Sequence, residues 1–450
     1  MLKILGLDIG TTTISAVAIN AINGDVLSAG NRLNDSAMNT SNGRKIQNPK
    51  RILEIVLDLK KEMQEKHGTF VAIGVTGQMH GMLYLNRELE AVSPLYTWQD
   101  ERGNLPYQNT TYAKYLSEVT GYALASGYGI VTDFVNRAKG DRPENATLFC
   151  TIHDWVAAKL CNSTKIVMHT SNAASYGCFD IAEGCFDQEA LKKIELDISS
   201  LPEVTDDFIA LGTDSDGAVV SVAIGDNQAS VVGSLSGEGC ALANIGTGSQ
   251  ISVPTAKYCN VNGIDVRPFY KKECLLVGAP LCGGRSYAML KNFYALCLRA
   301  FELDVEDIYY YMNRMAGEEP GEKTLYVDTR FCGTRDNSTI RGAITNIGID
   351  NFTPQELTRG FLYGMAKELY DLYNQMRPAI SENITCLVGS GNAIRKSTVL
   401  QSYLSEIFGL PIKIPRHKEE AAFGAAVSAT VAINYYKDIM TAQTTMIHYL

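Results

Sequence analysis

An apolar strand running into a glycine–threonine turn occurs twice in this chain, once near each half's start, and that repetition restricts the possible folds more than any other feature. Residues 2–9 form an apolar run, Asp8-Ile9-Gly10-Thr11-Thr12-Thr13 supplies the turn, and 14–19 is the returning strand. The second half repeats the pattern: 240–250 reads CALANIGTGSQ, followed by ISVP and a further apolar strand at 275–279. Asn23-Gly24-Asp25 closes a second hairpin, and Ile52, Ile55, Val56 and Leu59 recur at helical spacing within 49–66 before a strand at 70–76. Strands, helix and strand make an α/β opening, and its recurrence predicts an internal duplication. Residues 354–377 read as a long helix beginning at Thr353-Pro354, 384–393 as a strand entering a glycine turn, and 418–435 as an Ala-rich closing helix. The polar, acidic stretch 199–217 reads as a loop region near the domain boundary, which is placed at Ile224, giving domains 1–224 and 225–450.

A length of 450 residues suits two or three domains. The 40 Lys and Arg against 49 Asp and Glu leave a net charge of −9 with no basic run, which argues against a nucleic acid or an anionic membrane as partner. No apolar stretch reaches membrane-spanning length. Met1 leads directly into the first strand without a basic start or a cleavage site, so a cytoplasmic protein is expected. Its 11 Cys lack CxxC pairs or zinc spacing and are expected to be reduced core residues.

No Walker loop occurs, and no GxGxxG follows a strand. Phosphate must therefore be held by other means. Gly10-Thr11-Thr12-Thr13 and Gly246-Thr247-Gly248-Ser249 offer backbone N–H groups and hydroxyls, the donors that phosphate oxygens require, from equivalent places in the two halves. Either turn alone is also an ordinary hairpin connection. Together with a third glycine turn at 389–391 they point to a polyphosphate ligand.

The blocks LGLDIGTTT (5–13), GVTGQMHG (74–81), YTWQDER (96–102), GDNQAS (225–230), NIGTGSQ (244–250), VGSGNA (388–393) and EEAAFGAA (419–426) follow one another as in the FGGY family of carbohydrate kinases, which the chain resembles over nearly its whole length. The resemblance implies an α/β protein of two actin-like, ribonuclease H-like ATPase domains with a cleft between them. In the family the first domain holds mainly the sugar and the second mainly the nucleotide. The combination of GQMHG, WQD and GDNQAS looks most like the sedoheptulokinase branch, with the xylulokinase branch next. Glu101 departs from the usual glycine before Arg102, and 331–348 follows the family only loosely.

What the resemblance implies for single residues is as follows. Asp226 is the general base that takes the proton of the acceptor hydroxyl; an N-cap role before QASVVGSL is compatible with it. Asp8, at the end of a buried strand where a carboxylate needs compensation, and Asp226 are the magnesium ligands; Asp8 also reads as a turn-initiating residue. Gln78, Met79, His80, Trp98, Asp100 and Asn227 contact the sugar, with core packing the other reading for Trp98. Gly10, Thr11, Thr12, Thr13, Gly246, Thr247 and Gly248 meet the phosphates, and Gly283, Gly284, Gly389, Ser390, Gly391 and Asn392 form the adenosine slot, where glycines let backbone approach a flat ring. The implied partners are ATP, Mg²⁺ and a ketose, most of all sedoheptulose and next xylulose, with a homodimer as the assembly left open. The rival is a non-catalytic sugar or nucleotide sensor of the same fold; retention of Asp226 beside all three glycine turns argues against it.

Overall fold

The computed structural model describes residues 1–39, 44–237, 239–246, 248–319, 321, 324–334, 337 and 339–450. The chain divides into two compact units, one formed by Met1–Gly237, Arg267–Cys274 and Glu419–Ile447, the other by Glu238–Val266, Leu275–Lys418 and His448–Leu450.

In the first unit the strand Lys3–Ile9 pairs antiparallel with Thr13–Asn20, which pairs antiparallel with Val26–Leu33. Its other edge pairs in parallel with Ala72–Gly77. A parallel neighbour requires a crossover, and the helix Pro49–His67 provides it. Asn48 caps that helix by accepting from the Lys50 and Arg51 N–H groups, Pro49 pre-sets its first turn, and Gly68 at φ 74° ends it. Its apolar stripe, Ile52, Ile55, Val56, Leu59 and Met63, is buried with Leu5, Leu7 and Ile9 of the first strand in one core. The sheet also contains Ala210–Thr213, Val219–Ser221 and Ile224–Gly225, seven strands among the described residues.

The second unit repeats the pairing pattern. Cys240–Ile245 pairs antiparallel with Ser249–Thr255 and in parallel with Cys386–Ser390, which is parallel to Ile412–Lys413. The long helix Pro354–Met376, capped by Thr353, buries Phe361, Leu362, Met365 and Leu369 in this unit's own core. The mixed α/β architecture in two units is thus the one the repeated turns imply.

Two expectations need correction. The acidic stretch 199–217 is not merely a loop region, for it holds the strands Glu203–Thr205 and Ala210–Thr213. Its charge is neutralised locally: the buried Lys60 ammonium sits 2.8 Å from Asp214 and 2.7 Å from Asp216. The second concerns the boundary at Ile224, since residues 225–237, 267–274 and 419–447 belong with the first unit. Glycine contacts explain why. A Cβ at Gly6 would lie 1.9 Å from the Ala422 carbonyl oxygen and one at Gly74 1.7 Å from that of Ala425, so the closing helix Glu420–Ala432 lies directly on the first unit's strands. Likewise a Cβ at Gly424 would lie 1.8 Å from the Ala229 oxygen, where the closing helix crosses the helix Asp226–Ser234.

All 11 cysteines are free thiols, and most are buried as expected, but Cys185 and Cys332 are exposed. Among the described residues no helix is long and apolar enough to cross a membrane.

One buried group makes stability pH-dependent. His169 is fully buried and its Nδ1 accepts from the Ser171 N–H; burial pushes its pKa down to about 3. Below the unfolded value near 6.5 the unfolded chain takes up a proton that the folded chain refuses, so this contribution is lost as pH falls. His169→Asn, which keeps a capping acceptor, is expected to be less stable than wild type at pH 7. That deficit should shrink by about 2 kcal/mol at pH 5. Urea melts of both proteins at the two pH values check this; an unchanged deficit would show that His169 is not the acid-labile group.

Candidate active site

The chemistry-bearing residues of the first unit collect where its parallel strands end. Ile9 and Gly225 both pair with Gly77, so Asp8, the Gly10–Thr13 turn, Gln78–His80 and Asp226 all lie at one end of the sheet. Ends of parallel strands are where α/β sheets leave backbone donors unpaired and space open.

Asp226 is half-buried in the first turn of its helix, a position that favours a carboxylate through the helix dipole. Burial pushes its pKa up to about 6, opposed by the Asn227 N–H and then by the Arg267 guanidinium. Asp8 is pushed up to about 7 by burial first, then by the charges of Asp226 and Glu419. Its Oδ1 is inaccessible and has no hydrogen-bond partner. A buried carboxylate with an orphaned oxygen, its proton affinity raised by the charges of Asp226 and Glu419, is short of positive charge, and a hard divalent cation fits that need. Among the described residues no group of three or more acidic, His or Cys side chains is arranged to hold a metal ion by itself. Asp8 and Asp226 would therefore hold such a cation with water or phosphate oxygens completing its shell.

Thr11 joins the glycine turn to Trp98 and Gln78. Trp98 Nε1 donates to Thr11 Oγ1 at 3.0 Å, which donates to Gln78 Oε1 at 3.2 Å. Gln78 Nε2 donates in turn to Gln47 Oε1 at 2.8 Å, and Gln47 Nε2 to the Thr11 carbonyl at 2.8 Å. Trp98 is 45% exposed, which excludes the core-packing reading. Its indole edge is held while the ring stays open to a ligand. Thr12 and Thr13 are exposed beyond the turn.

His80 has φ 69°, unusual for a residue with a Cβ and a mark of functional sites. The strain is held by three contacts: its N–H donates to Ser175 Oγ at 3.1 Å, Nδ1 donates to the Ser175 carbonyl at 2.8 Å, and the ring stacks on Tyr128 at 4.6 Å. Because a carbonyl can only accept, Nδ1 is the nitrogen that carries a proton. Met79 is buried, its sulfur against Gly225.

Two sugar-site expectations meet a different arrangement. Asp100 is 1% exposed and both carboxylate oxygens are taken, Oδ1 by Arg102 Nε at 2.7 Å and Oδ2 by Arg102 Nη2 and the Lys45 N–H, each at 3.1 Å. It is an anchor for the 96–104 loop rather than an open acceptor. Gln78 is likewise 2% exposed with both amide atoms engaged, so it positions Thr11 instead of projecting freely. Asn227 is buried, and its Oδ1 accepts from Arg267 Nη1 at 3.0 Å. Glu101 is exposed.

In the second unit the glycine turns also come to one end of the sheet. Gly246 and Gly248 are open, with nothing within 4 Å of a Cβ at either, while Thr247 lies outside the described residues. Gly283, at φ 48°, packs on this turn: a Cβ there would lie 2.4 Å from Ser249 Oγ and 2.9 Å from the Gly248 carbonyl carbon. It immediately precedes the helix Gly284–Ala300, whose first N–H groups are donors without helical acceptors. Gly391, at φ 83°, packs against the Ile245 oxygen, 2.4 Å from a Cβ. Gly389 and Ser390 end the neighbouring strand, Ser390 Oγ accepting from Asn244 at 2.7 Å, and Asn392 opens the next helix.

Sequence reasoning missed Arg267, Glu419, Ser175 and Tyr128. Glu419 stands in the block EEAAFGAA, which carried a family resemblance without a role for this residue; the other three lie in segments with no motif.

The chain matches the family model of the N-terminal domain of FGGY carbohydrate kinases over residues 3–233 and that of the C-terminal domain over 241–433. It is 26% identical to sedoheptulokinase from Mus musculus, covering 94% of this chain and 96% of that protein. It is also 26% identical to glycerol kinase from Aquifex aeolicus, covering 97% and 91%. The crystal structure of ligand-bound xylulose kinase from Lactobacillus acidophilus shares the fold with a TM-score of 0.83 at 19% identity, over 100% of this chain and 93% of that one. Matched in both halves, and built on the actin-like ATPase fold of these enzymes, the chain belongs to the FGGY family of carbohydrate kinases.

Proposed function

We infer that this kinase transfers the γ-phosphoryl group of ATP to the terminal primary hydroxyl of a ketose, sedoheptulose in preference to xylulose. The observation that carries the reading is Asp226 itself. A half-buried carboxylate with its pKa raised to about 6, fixed in a helix's first turn beside a second carboxylate, is ionised at neutral pH yet basic enough to take a hydroxyl proton. Asp226 orients the acceptor hydroxyl and receives its proton as the bond to phosphorus forms. A magnesium ion held by Asp8 and Asp226 would supply neutralisation of the phosphate charge.

The first unit would hold the sugar, with the exposed Trp98 face against its C–H groups and His80 Nε2 accepting a hydrogen bond from a hydroxyl. In the second unit, the turn containing Gly246 and Gly248 would meet phosphate oxygens, and Gly283, Gly284 and Gly389–Asn392 would border the adenosine. The preference for the seven-carbon sugar is supported by 26% identity to a sedoheptulokinase over 94% of the chain, together with GQMHG, WQD and GDNQAS.

The test is ADP release at saturating MgATP with sedoheptulose, xylulose, ribulose, fructose, glycerol and gluconate. Sedoheptulose is expected to give the highest kcat/KM, because contacts to its extra hydroxyl-bearing carbons can serve the transition state. A preference for xylulose or glycerol overturns the substrate while leaving the chemistry. ADP release independent of any polyol overturns the kinase mechanism.

A further inference from the structure

The helix that carries Asp226 is pinned at its first turn by a segment from outside the GDNQAS block. Arg267 Nη1 donates to Asn227 Oδ1 at 3.0 Å, and Gln228 Nε2 donates to the Pro268 carbonyl at 2.8 Å. The segment's own conformation has other supports: Lys271 N–H donates to the Asp206 carbonyl at 2.9 Å, and Phe269 N–H to the Glu273 carbonyl at 2.9 Å, closing a turn. The backbone of the segment is thus also held by bonds that do not involve the Arg267–Asn227 contact.

An amide side chain presents a donor and an acceptor of nearly the same shape, and half a turn about its last torsion exchanges them. A guanidinium only donates. Facing Arg267, the Asn227 oxygen is fixed toward the cation, and Nδ2 is fixed pointing away from it. Nδ2 makes no hydrogen bond among the described residues although Asn227 is only 8% exposed. An accessible donor left over beside Asp226 is matched to an oxygen that arrives with a ligand.

We propose that Arg267 is a positioning residue for the acceptor sugar: it locks the Asn227 amide so that Nδ2 donates to a hydroxyl oxygen of the polyol next to the hydroxyl that Asp226 engages. The proposal rests on the reading of Asp226 and Asn227 as the acceptor wall, and it deepens that reading by giving Asn227 one polarity. The contact requires a lone pair on the sugar at that carbon, so a hydroxyl serves there and a deoxy position does not.

A double-mutant cycle of Arg267→Met and Asn227→Ala, with Arg267→Lys beside it, tests this with sedoheptulose at pH 8, where the Asp226 carboxylate is ionised with or without the neighbouring cation. Arg267→Met is expected to raise the sugar KM about tenfold, the worth of one well-placed hydrogen bond, with smaller changes in kcat and in the MgATP KM. Arg267→Lys, which keeps a donor, should recover most of the loss. In the Asn227→Ala background Arg267→Met should change the sugar KM less than twofold, because there is no amide left to orient. An undiminished tenfold effect in that background, or an equal rise in the MgATP KM, overturns the proposal, since either means that Arg267 acts on the fold at large. If wild type releases no ketose-dependent ADP, it is the kinase reading that has failed. The same four proteins are then titrated calorimetrically with sedoheptulose alone, and equal affinities for wild type and Arg267→Met overturn the proposal on its own terms.

Discussion

Asp226→Asn is expected to lower kcat on the best ketose by about 10²-fold or more, the usual contribution of a general base, while ATP binding and the fold persist. The amide keeps the shape and loses the basicity. It also gives up the favourable meeting of a carboxylate with a helix N-terminus, about 0.3–1 kcal/mol, which is too little to unfold the unit. Single-turnover phosphoryl transfer, read beside an ATP-dependent shift in melting temperature, separates chemistry from binding. A variant that keeps more than half of the wild-type kcat would remove Asp226 from the mechanism.

The largest expected effect on stability comes from a single methyl group. In Gly424→Ala the new Cβ would lie 1.8 Å from the Ala229 oxygen and 2.8 Å from the Gly233 nitrogen, both backbone atoms that cannot rotate away. The two helices must separate, and the apolar contacts along the crossing are lost with them. Helix propensity returns about 1 kcal/mol for replacing Gly by Ala, and overpacking of this severity exceeds it. A net loss of about 3 kcal/mol is expected, equivalent to roughly 6–12 °C in the melting temperature of the first unit. Calorimetry resolves the transition, and a change within 1 °C would mean that the helices slide apart without cost.

Much of this was legible in the residues because it is local. The two strand–turn–strand units, the capped helix Pro49–His67 and the long helix after Thr353-Pro354 all announce themselves through periodicity and end signals. What escaped depends on the chain returning over itself. The acidic stretch 199–217 reads as solvated until Lys60, far upstream, is found between Asp214 and Asp216. Ile224 looks like a boundary until Gly424 meets Ala229. In the site, Asp8, His80, Trp98 and Asp226 could be named from motifs and lie at the strand ends, or are bonded to the turn there. Asp100 could be named too, but not its engagement by Arg102 two residues away, because a short spacing does not reveal which way a loop turns its side chains. Arg267 carries no motif at all, and only the fold brings it to Asn227.

The closing helix Glu420–Ala432 follows the strand Lys3–Ile9 by more than four hundred residues, yet it lies directly on that strand. During translation the face bearing Gly6 and Gly74 has no lid until the intervening residues up to that helix have been joined. The first half of the chain therefore cannot complete its fold ahead of the second, as amino-terminal domains ordinarily do. It must wait, with an apolar sheet surface open to chaperones or to misassociation, until the ribosome delivers the segment that seals it.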